Sequence, residues 1–273
     1  ARRFVELAKL EPLIEELSTV ARIVYLEDVR ENLSIVDKIA AVVGSLMPAW
    51  VFEKWPHHDE TAVILFTSGT EGDPKGVVLS HANVLANIEQ VRAHIDLYPK
   101  TDVLFNPLPT FHCFGLTVGS LLPLFIGVKT VCHPSPLHVK EITKRVRLTK
   151  ATILMATDTF ISQYARASDE GDLASLRLAV CGAERVRDET RALLRRRCNM
   201  EILEGYGVTE AAPVVAANQP GNNKLGTVGK LMAGMEYKLE PVEGIPNAGR
   251  LFVRGPNVKK GYLKPDQPGL LHP

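Results

Sequence analysis

Ala62-Val63-Ile64-Leu65-Phe66 runs directly into Thr67-Ser68-Gly69-Thr70-Glu71-Gly72-Asp73-Pro74-Lys75-Gly76. The first five residues form a short unbroken apolar run, the pattern of a strand buried on both faces of a sheet. The residues that follow combine hydroxyls, glycines and one lysine. Glycines let a backbone approach a ligand closely, N–H groups and hydroxyls donate hydrogen bonds, and Lys75 adds positive charge, so the loop suits a polyphosphate. It is not a Walker A loop, which needs Gly-Lys-Ser/Thr; here Pro74 precedes Lys75 and Gly76 follows it.

Outward from this passage, strands and helices alternate. Val84, Ile88, Val91 and Ile95 mark one helical face, with Ser80 or Asn83 as its cap. Strands are expected at 130–132, 152–155, 178–180 and 202–203, and helices at 137–148, 159–167 and 188–197. The alternation predicts an α/β fold, a mostly parallel sheet flanked by helices, with ligands gathered at the carboxyl ends of strands. After Gly221 the chain turns to short strands punctuated by Gly and Pro, around 237–239 and 251–253, a small β-rich piece. Before residue 61, Phe4, Leu7, Leu10, Ile14 and Leu17 recur at helical spacing, and Pro12 should divide that helix. Residues 22–26 read as a short strand, and Ile35 to Leu46 as a further apolar segment. The expected division is therefore a partial attachment over 1–60, an α/β core over 61–220 and a β-rich subdomain over 221–273.

Composition narrows the function. In 273 residues, 32 Lys and Arg stand against 31 Asp and Glu, a net charge of +1, so no bulk attraction to nucleic acid or anionic lipid is expected. Cys113, Cys132, Cys181 and Cys198 form no CxxC pair and have no His partner at zinc spacing, which fits a reducing compartment. The apolar stretch 114–128 is interrupted by Pro123 and is shorter than the roughly 18–20 residues of a membrane span. The chain opens on Ala1, without a signal peptide, and reads as part of a longer protein.

A second informative segment, Gly205-Tyr206-Gly207-Val208-Thr209-Glu210, is placed by this reading at the end of the strand at 202–203. An aromatic face can stack on a base, a hydroxyl can bind a phosphate oxygen, and a carboxylate can hold Mg²⁺. With the loop at 67–76, with Phe111-His112-Cys113-Phe114-Gly115 and with Gly182-Ala183-Glu184 in the same order, the chain resembles the adenylate-forming superfamily of acyl-CoA synthetases, luciferases and nonribosomal adenylation domains. Glu71, Gly76-Val77-Val78, Pro107 to Gly119 and Ile202 to Val215 look more narrowly like the bacterial bifunctional acyl carrier protein synthetases and 2-acylglycerophosphoethanolamine acyltransferases.

The resemblance implies roles. Thr67, Ser68, Gly69, Thr70, Gly72, Lys75 and Gly76 would embrace the β- and γ-phosphates of ATP. Gly182, Ala183, Glu184, Tyr206 and Gly207 would line the adenine pocket. Thr209 would contact the α-phosphate, Glu210 would bind Mg²⁺, and His112 would sit beside the acyl site. His112 also reads as a hydrogen-bonded core histidine, and Glu184 equally as a cap of the helix that follows. The family's Tyr-x-Thr-Gly-Asp segment, its C-terminal lysine and the acyltransferase's His-x-x-x-x-Asp motif do not occur here.

The implied activity is ATP-dependent activation of a fatty acid through acyl-adenylate and its ligation to acyl carrier protein, within an enzyme that reacylates a lysophospholipid at the cytoplasmic face of the bacterial inner membrane. The alternatives are a long-chain acyl-CoA synthetase and a noncatalytic nucleotide-binding fragment. Arg187, Arg191 and Arg195 fall at i, i+4 and i+8 and form either a docking stripe for the acidic carrier protein or a solvated helix face.

Overall fold

The structure is a computed structural model that describes residues 2, 5–6, 9–48, 51, 57–67, 74–198, 200–244, 246, 248–264 and 267–272. It divides into two compact units, Ala1–Trp55 and Pro56–Pro273. In the first unit, the helix Glu11–Ser18 takes Pro12 in its first turn, where no intrahelical N–H is lost. Ser34 and Asp37 form a reciprocal capping box on the helix Ile35–Ser45. The strand expected at 22–26 does not form: 22–25 pair with no strand, and Tyr25 is the extended cap residue of a helix, Leu26–Glu31, whose first turn carries Glu27 and Asp28.

The second unit is built on a seven-stranded sheet. Its strands are β3 (Val103–Asn106), β4 (Lys129–Cys132), β5 (Ile153–Ala156), β6 (Leu178–Cys181), β7 (Glu201–Gly207), β8 (Val214–Ala217) and β9 (Lys230–Leu231), in the order β4-β3-β5-β6-β7-β8-β9. The first five are parallel, and β8 and β9 are added antiparallel. Alternate residues feed two cores. Leu104, Ile153, Met155, Leu178 and Leu203 pack with Val84, Ile88 and Val91 of the helix His81–His94. Phe105, Leu154, Ala156, Ala179 and Ile202 pack on the other face with Ile142, Ile161, Tyr164 and Leu194. Those last residues belong to the helices Val139–Thr149, Asp158–Ala167 and Asp188–Cys198. Side chains of a strand alternate in direction, so an unbroken apolar run fills both layers at once.

The chain leaves β3 toward β4 on one face and returns past β3 to β5 on the other.

The strand at 62–66 is a correction. As β1 (Thr61–Thr67) it pairs antiparallel with β2 (Lys75–Ser80), not within the parallel sheet. Most of it is not buried, and Phe66 is 70% exposed. Only β2 is buried on both sides, with Gly76, Val77, Val78 and Leu79 in the core. The hairpin belongs to a second sheet completed by β12 (Gly261–Lys264), which pairs with β2, and β13 (Gln267–His272). Between them in sequence lies the two-stranded ribbon of β10 (Glu236–Pro241) and β11 (Gly249–Arg254).

The apolar stretch after Phe114 forms a π-helix, Phe114–Leu121, followed by the short helix Leu122–Ile126. Gly119 permits this, since a Cβ there would collide with the side chain of buried Asn106 at the end of β3. Among the described residues, no helix is long and apolar enough to cross a membrane.

One ion pair holds the start of the sheet. Asp102, just before β3, accepts from Arg177 Nε at 2.9 Å and Nη2 at 2.6 Å, from Thr152 Oγ1 at 2.7 Å and from the Tyr98 N–H at 2.8 Å. Burial pushes its carboxyl up, but Arg177, Tyr98 and Thr152 together outweigh that and hold it below its ordinary 3.8. A depressed folded pKa gives stability that is present above the ordinary value and lost as pH falls through the depressed one. Asp102→Asn is expected to cost about 2–3 kcal/mol at pH 7, less than the roughly 3–5 of a fully buried pair because Arg177 is partly exposed. Urea midpoints of the two proteins should converge as pH falls below 3.8; a gap that stays constant would refute the assignment.

Candidate functional site

At the carboxyl ends of β6 and β7 lies a cavity of about 550 Å³. β7 supplies its longest wall. It runs on through Gly205, Tyr206 and Gly207, so the strand is longer than the 202–203 expected from sequence. Gly207 is required there, since a Cβ would strike the carbonyl of Pro213, just before the neighbouring strand β8. Tyr206, 39% exposed as a residue, lines the cavity. Beyond β6, Gly182 and Ala183 line it too, and Ala183 takes a left-handed backbone with φ of 65°. A non-glycine residue held there is under strain that the surrounding structure must sustain.

Thr209 and Glu210 open a single 3-10 turn, Thr209–Ala211, after β7. Asn257, wholly buried, donates from Nδ2 to Ala211 O at 2.6 Å and to Val214 O at 3.1 Å. The Lys259 N–H donates to Glu210 O at 2.7 Å. The Glu210 carboxylate accepts at Oε1 from Tyr262 Oη at 2.8 Å. Burial, followed by that carboxylate, pushes the Tyr262 phenol up to about 12, which keeps it a donor. The Tyr262 ring faces two cations: Lys259 Nζ lies 4.1 Å from its centroid and Lys75 Nζ 5.6 Å. Burial lowers the Lys259 pKa, with Glu210 opposing.

His112 also lines the cavity. Its Nδ1 accepts from the Phe114 N–H at 3.3 Å. The ring is exposed, yet partial desolvation lowers its pKa below 6.5 and favours the neutral imidazole at pH 7. Cys113 beside it is buried, which pushes its thiol up to about 12 and makes it unreactive.

Among the residues singled out from sequence, Thr67, Lys75, His112, Gly182, Ala183, Tyr206, Gly207, Thr209 and Glu210 therefore share one cavity. Ser68, Gly69, Thr70 and Gly72 lie outside the described residues. Gly76 packs inside the hairpin against Ile64 and Leu263. Glu184 faces elsewhere: its Oε2 accepts from the Thr159 N–H at 2.9 Å and Thr159 Oγ1 at 2.8 Å, at the start of the helix Asp158–Ala167. Glu184 therefore serves the start of the preceding helix, and not the following helix that the capping reading expected. Tyr262 and Lys259 had no signal in local spacing, because β12 reaches the cavity through its pairing with β2, where Tyr262 opposes Val77.

The chain belongs to the family of AMP-binding enzymes, whose family model matches residues 4–263. It is 32% identical over 213 residues to the probable 4-coumarate–CoA ligase 3 of Dictyostelium discoideum, covering 74% of this chain and 38% of that protein. It is 30% identical over 218 residues to the long-chain-fatty-acid–CoA ligase of Yersinia pestis, covering 76% of this chain and 39% of that one. The ATP-bound structure of MatB from Rhodopseudomonas palustris superposes with a TM-score of 0.66 at 28% identity, over 78% of this chain and 43% of that one. The chain thus spans less than half the length of each of these proteins.

The arginine stripe is a further correction. Arg191 is only 11% exposed, and its guanidinium is hydrogen-bonded to buried Glu204. Arg187 precedes the helix Asp188–Cys198 and is bonded through Nε to buried Asp158 at 2.5 Å. Arg191 neutralises Glu204 of β7 and Arg187 pairs with Asp158 at the start of the helix Asp158–Ala167, so of the three only Arg191 is withdrawn from the surface, while Arg187 and Arg195 stay exposed. Arg191→Ala should cost about 3–5 kcal/mol by stranding Glu204, and Arg195→Ala no more than about 0.5 kcal/mol. Equal shifts in the chemical-denaturation midpoint would show that Arg191 is a surface residue after all.

Proposed function

We propose that this chain carries the nucleotide and acyl site of an ATP-dependent, AMP-forming ligase that activates a fatty acid as its acyl-adenylate. The observation that carries this reading is the mixed chemistry of one cavity. Lys75, Thr67, Thr209 and Glu210 bring charge and hydroxyls, while Val91, Ile95, Val118 and Met232 bring an apolar surface. A carboxylic acid with an apolar tail needs both: a polar end for the reacting carboxylate and phosphate, and a dry surface for the chain.

In this reading Lys75 and Thr67 hold the β- and γ-phosphates, together with Ser68, Gly69, Thr70, Gly72 and Gly76 of the loop. Tyr206, Gly207, Gly182 and Ala183 receive the adenine, and Thr209 meets the α-phosphate. The Glu210 carboxylate and the Thr209 hydroxyl are hard oxygen donors of the kind Mg²⁺ prefers, and Tyr262 occupies one carboxylate oxygen while the second remains to be offered. The ion, when bound, would neutralise charge developing on the phosphates. Tyr262 holds the carboxylate in place, and neutral His112 borders the acyl end without adding charge beside it.

For the acceptor, the subfamily resemblance at Glu71, 107–119 and 202–215 favours acyl carrier protein, in a bifunctional enzyme that reacylates a lysophospholipid at the inner membrane. The names of the relatives support coenzyme A as a second reading. Offering the whole protein each acceptor separately distinguishes the two.

Replacing Glu210 with Gln in the whole protein keeps the shape and removes the charge. Pyrophosphate exchange should fall by an amount equal to several kcal/mol of barrier, and excess Mg²⁺ should not restore it. Recovery of the parent rate at high Mg²⁺ would remove Glu210 from the metal site. Tyr262→Phe deletes one hydrogen bond to a charged group and is expected to slow the same exchange by about tenfold. An unchanged rate and an unchanged Mg²⁺ dependence would show that Tyr262 positions nothing.

A further inference from the structure

Away from this cavity, beyond the end of β4, two histidines and a glutamate converge. His133 is 4% exposed, stacks on Phe105 with centroids 6.4 Å apart, and donates its main-chain N–H to Asn106 O at 3.0 Å. His138 is the cap residue of the helix Val139–Thr149, and Glu141 lies one turn along that helix, on the same face. His133 Nε2 lies 3.2 Å from His138 Nδ1, and His138 Nδ1 lies 4.0 Å from Glu141 Oε2. One donor atom from each residue falls within 4.8 Å of the other two.

We propose that His133 Nε2, His138 Nδ1 and the Glu141 carboxylate form a binding site for a borderline divalent cation, best matched by Zn²⁺, which staples the end of β4 to the first turn of the following helix. Two nitrogens each about 2.0–2.1 Å from a tetrahedral Zn²⁺ stand roughly 3.3 Å apart, close to the separation found. Two imidazoles and one carboxylate suit Zn²⁺ and exclude a preference for Mg²⁺, which selects oxygen. Three protein ligands leave the fourth position to solvent, on the side where His138 and Glu141 are exposed. The carboxylate is positioned by Arg145, whose Nε donates to Glu141 Oε1 at 3.0 Å, leaving Oε2 toward the histidines. None of the three residues lines the cavity described above, so the site stands independently of the proposed ligase activity.

The test uses the chain stripped with a chelator and titrated with Co²⁺, followed by visible absorption, and then with Zn²⁺ in competition. One equivalent of Co²⁺ should develop a tetrahedral spectrum, Zn²⁺ should displace it, and Zn²⁺ should raise Tm while Mg²⁺ does not. Glu141→Gln changes an exposed side chain, so the metal-free protein should melt as the parent does, whereas His138→Ala also removes the partner of His133 Nε2 and should melt somewhat lower; each should weaken binding by about tenfold or more. Cys132→Ser, next to His133, should bind as the parent does. The proposal is overturned by the absence of saturable binding at one equivalent. Unaltered affinity in His138→Ala, or loss of binding in Cys132→Ser, would overturn it as well.

Discussion

Asn257 is the residue on which the second unit turns. Its buried amide donates to Ala211 O and Val214 O and accepts from Gln90 Nε2 at 3.3 Å, which satisfies the group on both sides. In the same segment Pro256 and Val258 give their carbonyls to Asn83 Nδ2, at 2.9 and 2.8 Å. Residues 256–259 thereby join the helix His81–His94, the turn after β7 and the approach to β12. Buried amides left without partners are costly, so this network admits one arrangement of the two sheets, the one in which Tyr262 reaches Glu210.

The electrostatics of the cavity follow from that arrangement. Lys75 arrives on the hairpin of the second sheet, Lys259 on the segment before β12 and Glu210 on the turn after β7, and the Tyr262 ring lies among all three. Two cations near one carboxylate give the site a local positive character in a chain whose net charge is only +1. Under the proposed function, an anionic phosphate would be met by a patch and not by the molecule as a whole. Also in the lining, the neutral His112, the protonated Cys113 thiol and Phe114 add no charge.

Where local signal and tertiary demand agree, the sequence is readable. The helix at 81–94 carries a regular apolar stripe, and Ser80 and Asn83, the two candidate caps, act together in one capping box. The π-helix after Phe114 has no comparable signal, because its packing depends on Asn106, a residue of another element. The run at 62–66 and the arginines near 190 misled for one reason. An apolar run does not say whether its neighbours are parallel or antiparallel, and a charged stripe does not say whether buried carboxylates lie beneath it.

By itself the sequence determined the α/β alternation of the core, the two segments at 67–76 and 205–210, and the short side chains that let backbone and ligand approach. These are properties of residue type and spacing along a few consecutive positions. Only the tertiary structure decided that β1 and β2 form an antiparallel hairpin, that Arg187 and Arg191 serve buried acids, and that Tyr262 and Lys259 complete the site of Glu210. Each of these depends on partners far apart in the chain, Glu210 and Tyr262 among them, and such pairings arise from strand register and buried hydrogen bonds that no local pattern encodes.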